Sequence, residues 1–339
     1  MKLGIAHVPR AGVRETVATI VELERLGFDR AWLPDQPFFL DPYPLLGAAA
    51  LATTRIGLGL GVTNPSTAHP VLIARAAATV ADAAPGRFVL GIGSGNRREF
   101  LSPLGLPADR APERCAAAVR VVQQLLNGEA VNHRSDFFVV VGVRLSFVPT
   151  PVPVYLAGIG PKMLEAAGEV ADGVIIHYAS EQLVRVALAS YERGAARSGR
   201  RSTGVVAWAR AIVTHDAAGA LDQMRPGVAH TLGSAAPDVF EVIGVPGAVR
   251  AALQAAYRSG GPAAAARHVS DAMIEHFAWI GTEDQIVERV RALRALGVTE
   301  AALIIPHASS EELLETGRKI ARGAGLSAGD QRTMVKGTT

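Results

Sequence analysis

Apolar residues along this chain fall into short runs, separated by longer segments in which they recur at helical spacing. Leu3–Val8 reads as a first strand, and Arg14–Leu26 as an amphipathic helix closed by Gly27. Ala31–Pro34, Ile56–Leu60 and Arg87–Ile92 are the next strands. A helix over Pro70–Ala84, with proline in its first turn, lies between the last two. Ala111–Leu126 is a long helix. Val152–Ala157, Gly173–His177, Val205–Val213 and Ala301–Ile305 complete the strands, with helices over Met163–Val170, Glu181–Ser198 and Glu283–Leu296. Eight strand–helix units predict an α/β fold, a (β/α)8 TIM barrel with insertions, as one domain over residues 1–325. A doubly wound open sheet is the alternative. One insertion, about 130–150, alternates like a hairpin. The other, about 216–276, reads as helical with a break at Gly260-Gly261-Pro262. The polar tail 326–339 is expected to be loose.

The strand ends depart from this apolar regularity. In parallel barrels the C-terminal strand ends carry the chemistry. Strand two ends in Pro34-Asp35-Gln36, which places a carboxylate and an amide at the barrel mouth or forms an Asx turn. Strand three ends in Gly61-Val62-Thr63-Asn64-Pro65: a hydroxyl and an amide for a polar ring edge, or an Asn-Pro turn. His69, before Pro70, reads as a helix cap. Strand four ends in Gly91-Ile92-Gly93-Ser94-Gly95-Asn96, whose glycines permit close backbone approach but lack the dinucleotide spacing. Strand five ends in Ala157-Gly158-Ile159-Gly160-Pro161 and runs into a helix, so free amides and the positive helix end make either an anion cradle or a capped turn. His177 stands at the end of strand six, at the rim or in the core. Taken together, these ends describe a slot for a large planar cofactor with a phosphorylated tail.

Composition narrows the field. Of 339 residues, 49% are hydrophobic, enough for a large core, and the net charge of +3 comes without a basic cluster, so no nucleic-acid partner is expected. The one cysteine, Cys115, excludes an internal disulfide and a multi-cysteine metal site; it reads as buried, and no metal is expected. No leader pattern opens the chain and no apolar run reaches membrane-spanning length, so a cytoplasmic protein with a small-molecule substrate is expected.

The chain resembles the bacterial luciferase-like superfamily, and most closely its deazaflavin-dependent, methylenetetrahydromethanopterin reductase-like branch. The matching segments are Lys2–Ile5 with Val8-Pro9, Leu26–Asp29 with Trp32 and Asp35, and Gly61–Pro65. Arg87–Gly93, Pro153–Ala157 with Gly160–Leu164, Ala167–Glu169 with Ala171–Val174, and Phe277–Thr282 continue the match over about residues 1–305. The resemblance implies coenzyme F420; FMN is the alternative cofactor, and a homodimer or higher homo-oligomer is expected. It implies that Gly61, Val62 and Thr63 form a bulge behind the deazaflavin ring, with a cis peptide at Gly61–Val62, and that Asn64 follows it. Gly93, Gly95 and Asn96 would touch the ring and ribityl chain. Ala157, Gly158, Ile159 and Gly160 would hold the phosphate, and His177 would join the cofactor set. Asp35 matches the acid at the hydride-transfer centre, with Gln36 and His7 as further catalytic candidates. Two positions depart from the pattern: Gln36 stands where members often carry histidine, and Ala6 where the methanopterin reductases tend to carry an acid.

The expected function is therefore an F420-dependent oxidoreductase. The alternatives are an FMN-dependent monooxygenase and a cofactor-binding barrel without activity.

Overall fold

A computed structural model describes residues 1–10, 12–200, 204–306 and 309–326; the expected loose tail, from 327 on, lies outside them. The strands are β1 (Lys2–Ala6), β2 (Arg30–Leu33), β3 (Gly57–Thr63), β4 (Phe88–Ile92), β5 (Val131–Arg134), β6 (Val139–Val143), β7 (Val154–Gly158), β8 (Gly173–Ile176), β9 (Gly204–Val213), β10 (Ala278–Gly281) and β11 (Glu300–Ile304). The helices are α1 (Val13–Arg25), α2 (Pro42–Ala52), α3 (Pro70–Ala83), α4 (Ala111–Leu126), α5 (Pro161–Val170), α6 (Glu181–Ser198), α7 (Ala217–Gly233), α8 (Pro237–Val242), α9 (Gly247–Ala265), α10 (Asp271–Glu275), α11 (Glu283–Arg294) and α12 (Ser310–Ala324).

The sheet order β11-β1-β2-β3-β4-β7-β8, closed through β9 on both β8 and β11, makes an eight-stranded parallel barrel. Its strands are the eight that the apolar runs predict. The hairpin β5–β6 occupies the first insertion, and helices α7 to α10 the second, with the backbone of α9 broken at Gly261. Two elements carry no periodic signature in the sequence. α2 carries Pro42, Pro44 and Gly47, and its faces are almost uniformly apolar, so it lacks a helical signature. β10 is a four-residue strand that takes over one edge of β9: β8 pairs with Gly204–Ala207, and β10 with Arg210–Val213. β9 therefore outruns β8, and Arg210 stands at the rim where β8 has ended.

Two apolar layers hold the barrel. The larger lies between the strands and the helices and includes Leu58, Leu60, Ile73 and the buried Cys115. The smaller fills the barrel itself with Trp32, Val89, Tyr155, Ile175, Val206 and Trp208. β3 shows how sequence serves this layering. Leu58 and Leu60 face the helices, whereas Gly57, Gly59 and Gly61 face inward. A Cβ on Gly59 would lie 2.2 Å from Trp32 Cε3, and one on Gly61 2.5 Å from Trp208 Cζ2. The glycine face of β3 thus makes room for two indoles, which meet edge to face at 5.8 Å. No helix among the described residues is long and apolar enough to cross a membrane.

Candidate active site

Two adjoining cavities open at the C-terminal ends of the strands, of about 440 Å³ and 480 Å³, a size range typical of small-molecule sites. Gly61, Val62, His177 and Trp208 border both, so Val62 stands between them. The Gly61–Val62 peptide is cis, and the pairing of β3 with β4 slips between Leu60 and Thr63, which forms the bulge.

The larger cavity gathers most of the residues read as cofactor-binding: Gly61, Val62, Gly93, Gly95, Asn96, Ala157, Gly158, Ile159, Gly160 and His177. A Cβ on Gly93 would come 2.5 Å from Val62 Cγ2, so glycine is required there for the bulge to pack. Gly160 is the N-cap of α5, Pro161 occupies its first position, and no side chain caps the first turn, whose amides remain open to an anion. The Tyr178 hydroxyl donates to the Ile159 carbonyl and pins this loop from behind. Gly158 and Gly160 differ. A Cβ on Gly158 would press on Met163 Cγ at 2.9 Å, whereas one on Gly160 finds nothing nearer than Ala236 Cβ at 3.6 Å. Gly158 is therefore tied to the packing of α5, and substituting it disturbs the fold as well as the cavity.

Thr63 and Asn64 line neither cavity. The buried Thr63 hydroxyl donates to Asp35 Oδ2 at 2.7 Å. Asn64 donates through Nδ2 to the Ser94 carbonyl and accepts from the Ser66 amide, both at 2.8 Å. Its side chain is spent on tying the end of β3 to the loop after β4. Asn96 lines the cavity, but its side chain is also engaged, with the Tyr257 hydroxyl at 2.9 Å, His230 Nε2 at 3.3 Å and the Glu99 amide at 3.0 Å. His69 caps α3 as expected, accepting from the Val71 amide.

The second cavity holds Asp35, Gln36 and His7 together with Arg10, Glu99, Arg210 and His230. Burial raises the pKa of Asp35, opposed by the Thr63 hydrogen bond and aided by the nearby Asp41. His7 follows β1, only 3% exposed, and its Nε2 has no hydrogen-bond partner among the described residues. Burial lowers its pKa to about 4, so it is neutral at pH 7. His177 is held neutral too, by burial and by the Arg210 guanidinium, whose Nη1 donates to His177 Nε2 at 2.9 Å.

Several residues here escaped the sequence reading. Arg210 is a cation inside the apolar strand Val205–Val213. Val206, Trp208 and Arg210 share one face at period two, and a lone arginine on that inward face was the available signal. Glu99, His230 and Tyr257 form a second group: His230 Nδ1 meets Glu99 Oε1 at 2.8 Å, and the Tyr257 hydroxyl lies 3.4 Å from the same oxygen. His230 and Tyr257 come from the helical insertion and Glu99 from the loop after β4, and nothing local in sequence joins them.

Comparison with known proteins fits this geometry. The sequence model of the luciferase-like monooxygenase family matches residues 1–300. A 5,10-methylenetetrahydromethanopterin reductase of Archaeoglobus fulgidus is 35% identical over 306 residues, covering 88% of this chain and 92% of that protein. An F420-dependent glucose-6-phosphate dehydrogenase of Beutenbergia cavernae is 34% identical over 219 residues, 59% of this chain and 64% of that protein. Among solved structures, the coenzyme F420 dependent tetrahydromethanopterin reductase of Methanopyrus kandleri superposes with a TM-score of 0.80 at 26% identity, over 95% of this chain and 98% of that one. With the family model spanning most of its length and a relative of this similarity matched nearly end to end, the chain belongs to the luciferase-like monooxygenase family.

Proposed function

We propose that this protein is an F420-dependent oxidoreductase that transfers a hydride between the deazaflavin and a small organic substrate. The observation that carries the reading is the meeting of two cavities at Val62. One has an open helix N-terminus at its end, and the other contains a half-buried carboxyl group of raised pKa, Asp35. The residues fit the cofactor. Gly93 and the cis-linked bulge leave a flat wall at Val62, Gly160 leaves open space at the amides of α5, and Trp208 Nε1 is a buried donor without a partner among the described residues.

In this reading Gly61, Val62, Gly93 and Gly95 lie against the ring, and Ala157 to Gly160 with the first turn of α5 hold the phosphate. The bound deazaflavin supplies two-electron hydride chemistry, and the protein supplies position and electrostatics. Asp35, kept in place by Thr63 and with its pKa raised, is the proton donor at the acceptor. His7 and His177 are neutral polar walls, and Gln36 lines the substrate side. Ala6 gives the substrate cavity an apolar floor beside His7. The names of the relatives point to a reductase of a pterin-type substrate or a dehydrogenase of a sugar phosphate. A homo-oligomer is part of the proposal, supported by exposed apolar side chains on adjacent helices, Leu51 of α2 and Leu72 of α3.

Titration with F420 and with FMN tests the cofactor. Quenching of deazaflavin fluorescence with weak or absent FMN binding is expected. Tight FMN binding without F420 affinity would move the protein to the monooxygenase branch, and F420 binding without turnover would make it a binding barrel. Light scattering on the eluted protein reads the oligomeric state.

A further inference from the structure

The described ion pairs leave one buried cation at the site without a counter-ion. Arg210 is 9% exposed, and its guanidinium lines the cavity of Asp35 rather than the cavity of Gly160. Only Nη1 is engaged, with His177 Nε2 at 2.9 Å and Thr231 Oγ1 at 3.2 Å, both neutral. Nε and Nη2 make no hydrogen bond among the described residues. The two acids that line the same cavity are occupied elsewhere, Asp35 by Thr63 and Glu99 by His230, and neither forms an ion pair with Arg210. Burying a cation without an opposite charge is costly, so such a group calls for a ligand that balances it.

The surroundings are shaped to keep that guanidinium in place. Helix α7 passes over it at Pro226-Gly227, where a Cβ on Gly227 would lie 2.7 Å from Arg210 Nε and 3.1 Å from Cδ. Glycine at 227 is what lets the arginine stem lie flat between α7 and the rim of β9. Arg10, stacked 5.8 Å from the Phe39 ring, adds a second cation at the solvent edge of the same cavity. The planar fork of arginine, with donors free on two of its three nitrogens, matches the two oxygens of a carboxylate or phosphate.

We propose that Arg210 is the specificity determinant of the substrate cavity and anchors an anionic group, carboxylate or phosphate, of the organic substrate. The assignment rests on the oxidoreductase reading for which ligand is substrate and which is cofactor. The same anionic chemistry could come from oxygen on the cofactor ring, and the test separates the two sources.

Malonate is the probe, with chloride holding the ionic strength constant. Thermal unfolding of the wild-type chain, with and without F420, is expected to move upward with malonate. Arg210→Gln should bind malonate about tenfold or more weakly, with Arg210→Lys in between. Gly160→Asp should keep the malonate response. Arg210→Gln should keep its affinity for F420, read by fluorescence quenching. Without malonate it should melt no lower than wild type, since the substitution removes an uncompensated buried charge. A malonate response that survives in Arg210→Gln, or is missing from wild type, overturns the proposal. So does loss of F420 affinity in Arg210→Gln, which would give the cation to the cofactor. Failure of wild type to bind F420 would sink the functional reading, while the malonate comparison would still decide the role of Arg210.

Discussion

The Thr63 hydroxyl donates to Asp35 Oδ2 at 2.7 Å and so joins the end of β3 to the segment that follows its neighbour β2 at the rim of the barrel mouth. The bond accounts for a threonine directly after the bulge: it holds the acid while Val62 presents the wall. A hydroxyl donating to a carboxylate favours the ionised form, and burial opposes it; burial wins, and the pKa of Asp35 rises. Thr63→Val should therefore raise it further, by roughly one unit if the charged hydrogen bond is worth about 1.5 kcal/mol. If protonated Asp35 donates during turnover, activity falls as pH rises through its pKa. The alkaline limb of the pH–rate profile should then move upward in Thr63→Val. Asp35→Asn should lower turnover by about 10²-fold or more with little change in F420 affinity. An unshifted limb in Thr63→Val would make the pair structural.

Gly158 and Gly160 should separate packing from ligand binding. Gly160 has extended backbone and open space around its missing Cβ, so Gly160→Asp should leave far-ultraviolet circular dichroism and melting unchanged. It should weaken F420 binding at least about tenfold, because it puts a carboxylate against a site built for an anion. Gly158→Ala, with its new methyl driven against Met163, should cost about 1–3 kcal/mol of stability. Equal cofactor affinity in Gly160→Asp and wild type would remove the phosphate assignment from α5.

The barrel was legible because its strands are short apolar runs separated by helical segments, and because five consecutive runs, from strand two to strand six, end in glycine or polar residues. The line of the cavity from Gly93 to Gly160 was legible for the same reason: close approach needs glycine, and glycine is visible in sequence. Side-chain destinations were not. Thr63 and Asn64 offered donors to a ligand on paper, yet one serves Asp35 and the other the Ser94 carbonyl. The choice depends on which loop folds beside them. The Glu99–His230–Tyr257 group arises only when the helical insertion packs onto the loop after β4. Arg210 was hidden by its neighbours: an apolar strand invites a core reading, although the inward register that carries Trp208 also carries the arginine to the rim.

His7 should give the protein a defined acid sensitivity. Its folded pKa of about 4 lies below its ordinary value of 6.5, so between these values the unfolded chain binds a proton that the native state refuses. Stability then falls as pH drops from 6.5 towards 4, by at most about 3–4 kcal/mol from this group, and no further below 4. His177, also lowered, acts with the same sign, and Asp35, raised, with the opposite one. His7→Leu removes only the first contribution. Urea unfolding at about pH 7.5 and about pH 4.5 should show a smaller loss in His7→Leu than in wild type. An identical loss in both would mean that His7 takes up its proton without unfolding.

The floor of the barrel should be fragile to single substitutions and more tolerant of a paired one. Glu300, at the start of β11, accepts from Arg30 Nε at 3.0 Å and Trp32 Nε1 at 2.6 Å. Arg30 in turn donates through Nη1 to the Leu58 and Arg87 carbonyls at 3.1 Å, linking β11, β2 and β3 to the residue just before β4. Both side chains are more than nine-tenths buried. Glu300→Ala leaves a buried guanidinium without its carboxylate and an indole N–H without its acceptor, which should cost about 3–5 kcal/mol in urea unfolding. Glu300→Gln keeps an acceptor and should cost less. Replacing both partners, Arg30→Met with Glu300→Leu, should recover part of the loss, because desolvation of the two charges is avoided while the Trp32 indole N–H and the Leu58 and Arg87 carbonyls still lose their partners. F420 affinity of the folded variants should not change, since these residues stand at the opposite end of the barrel from the cavities. A cost below about 1 kcal/mol for Glu300→Ala would show that water reaches the floor and that the pair is screened.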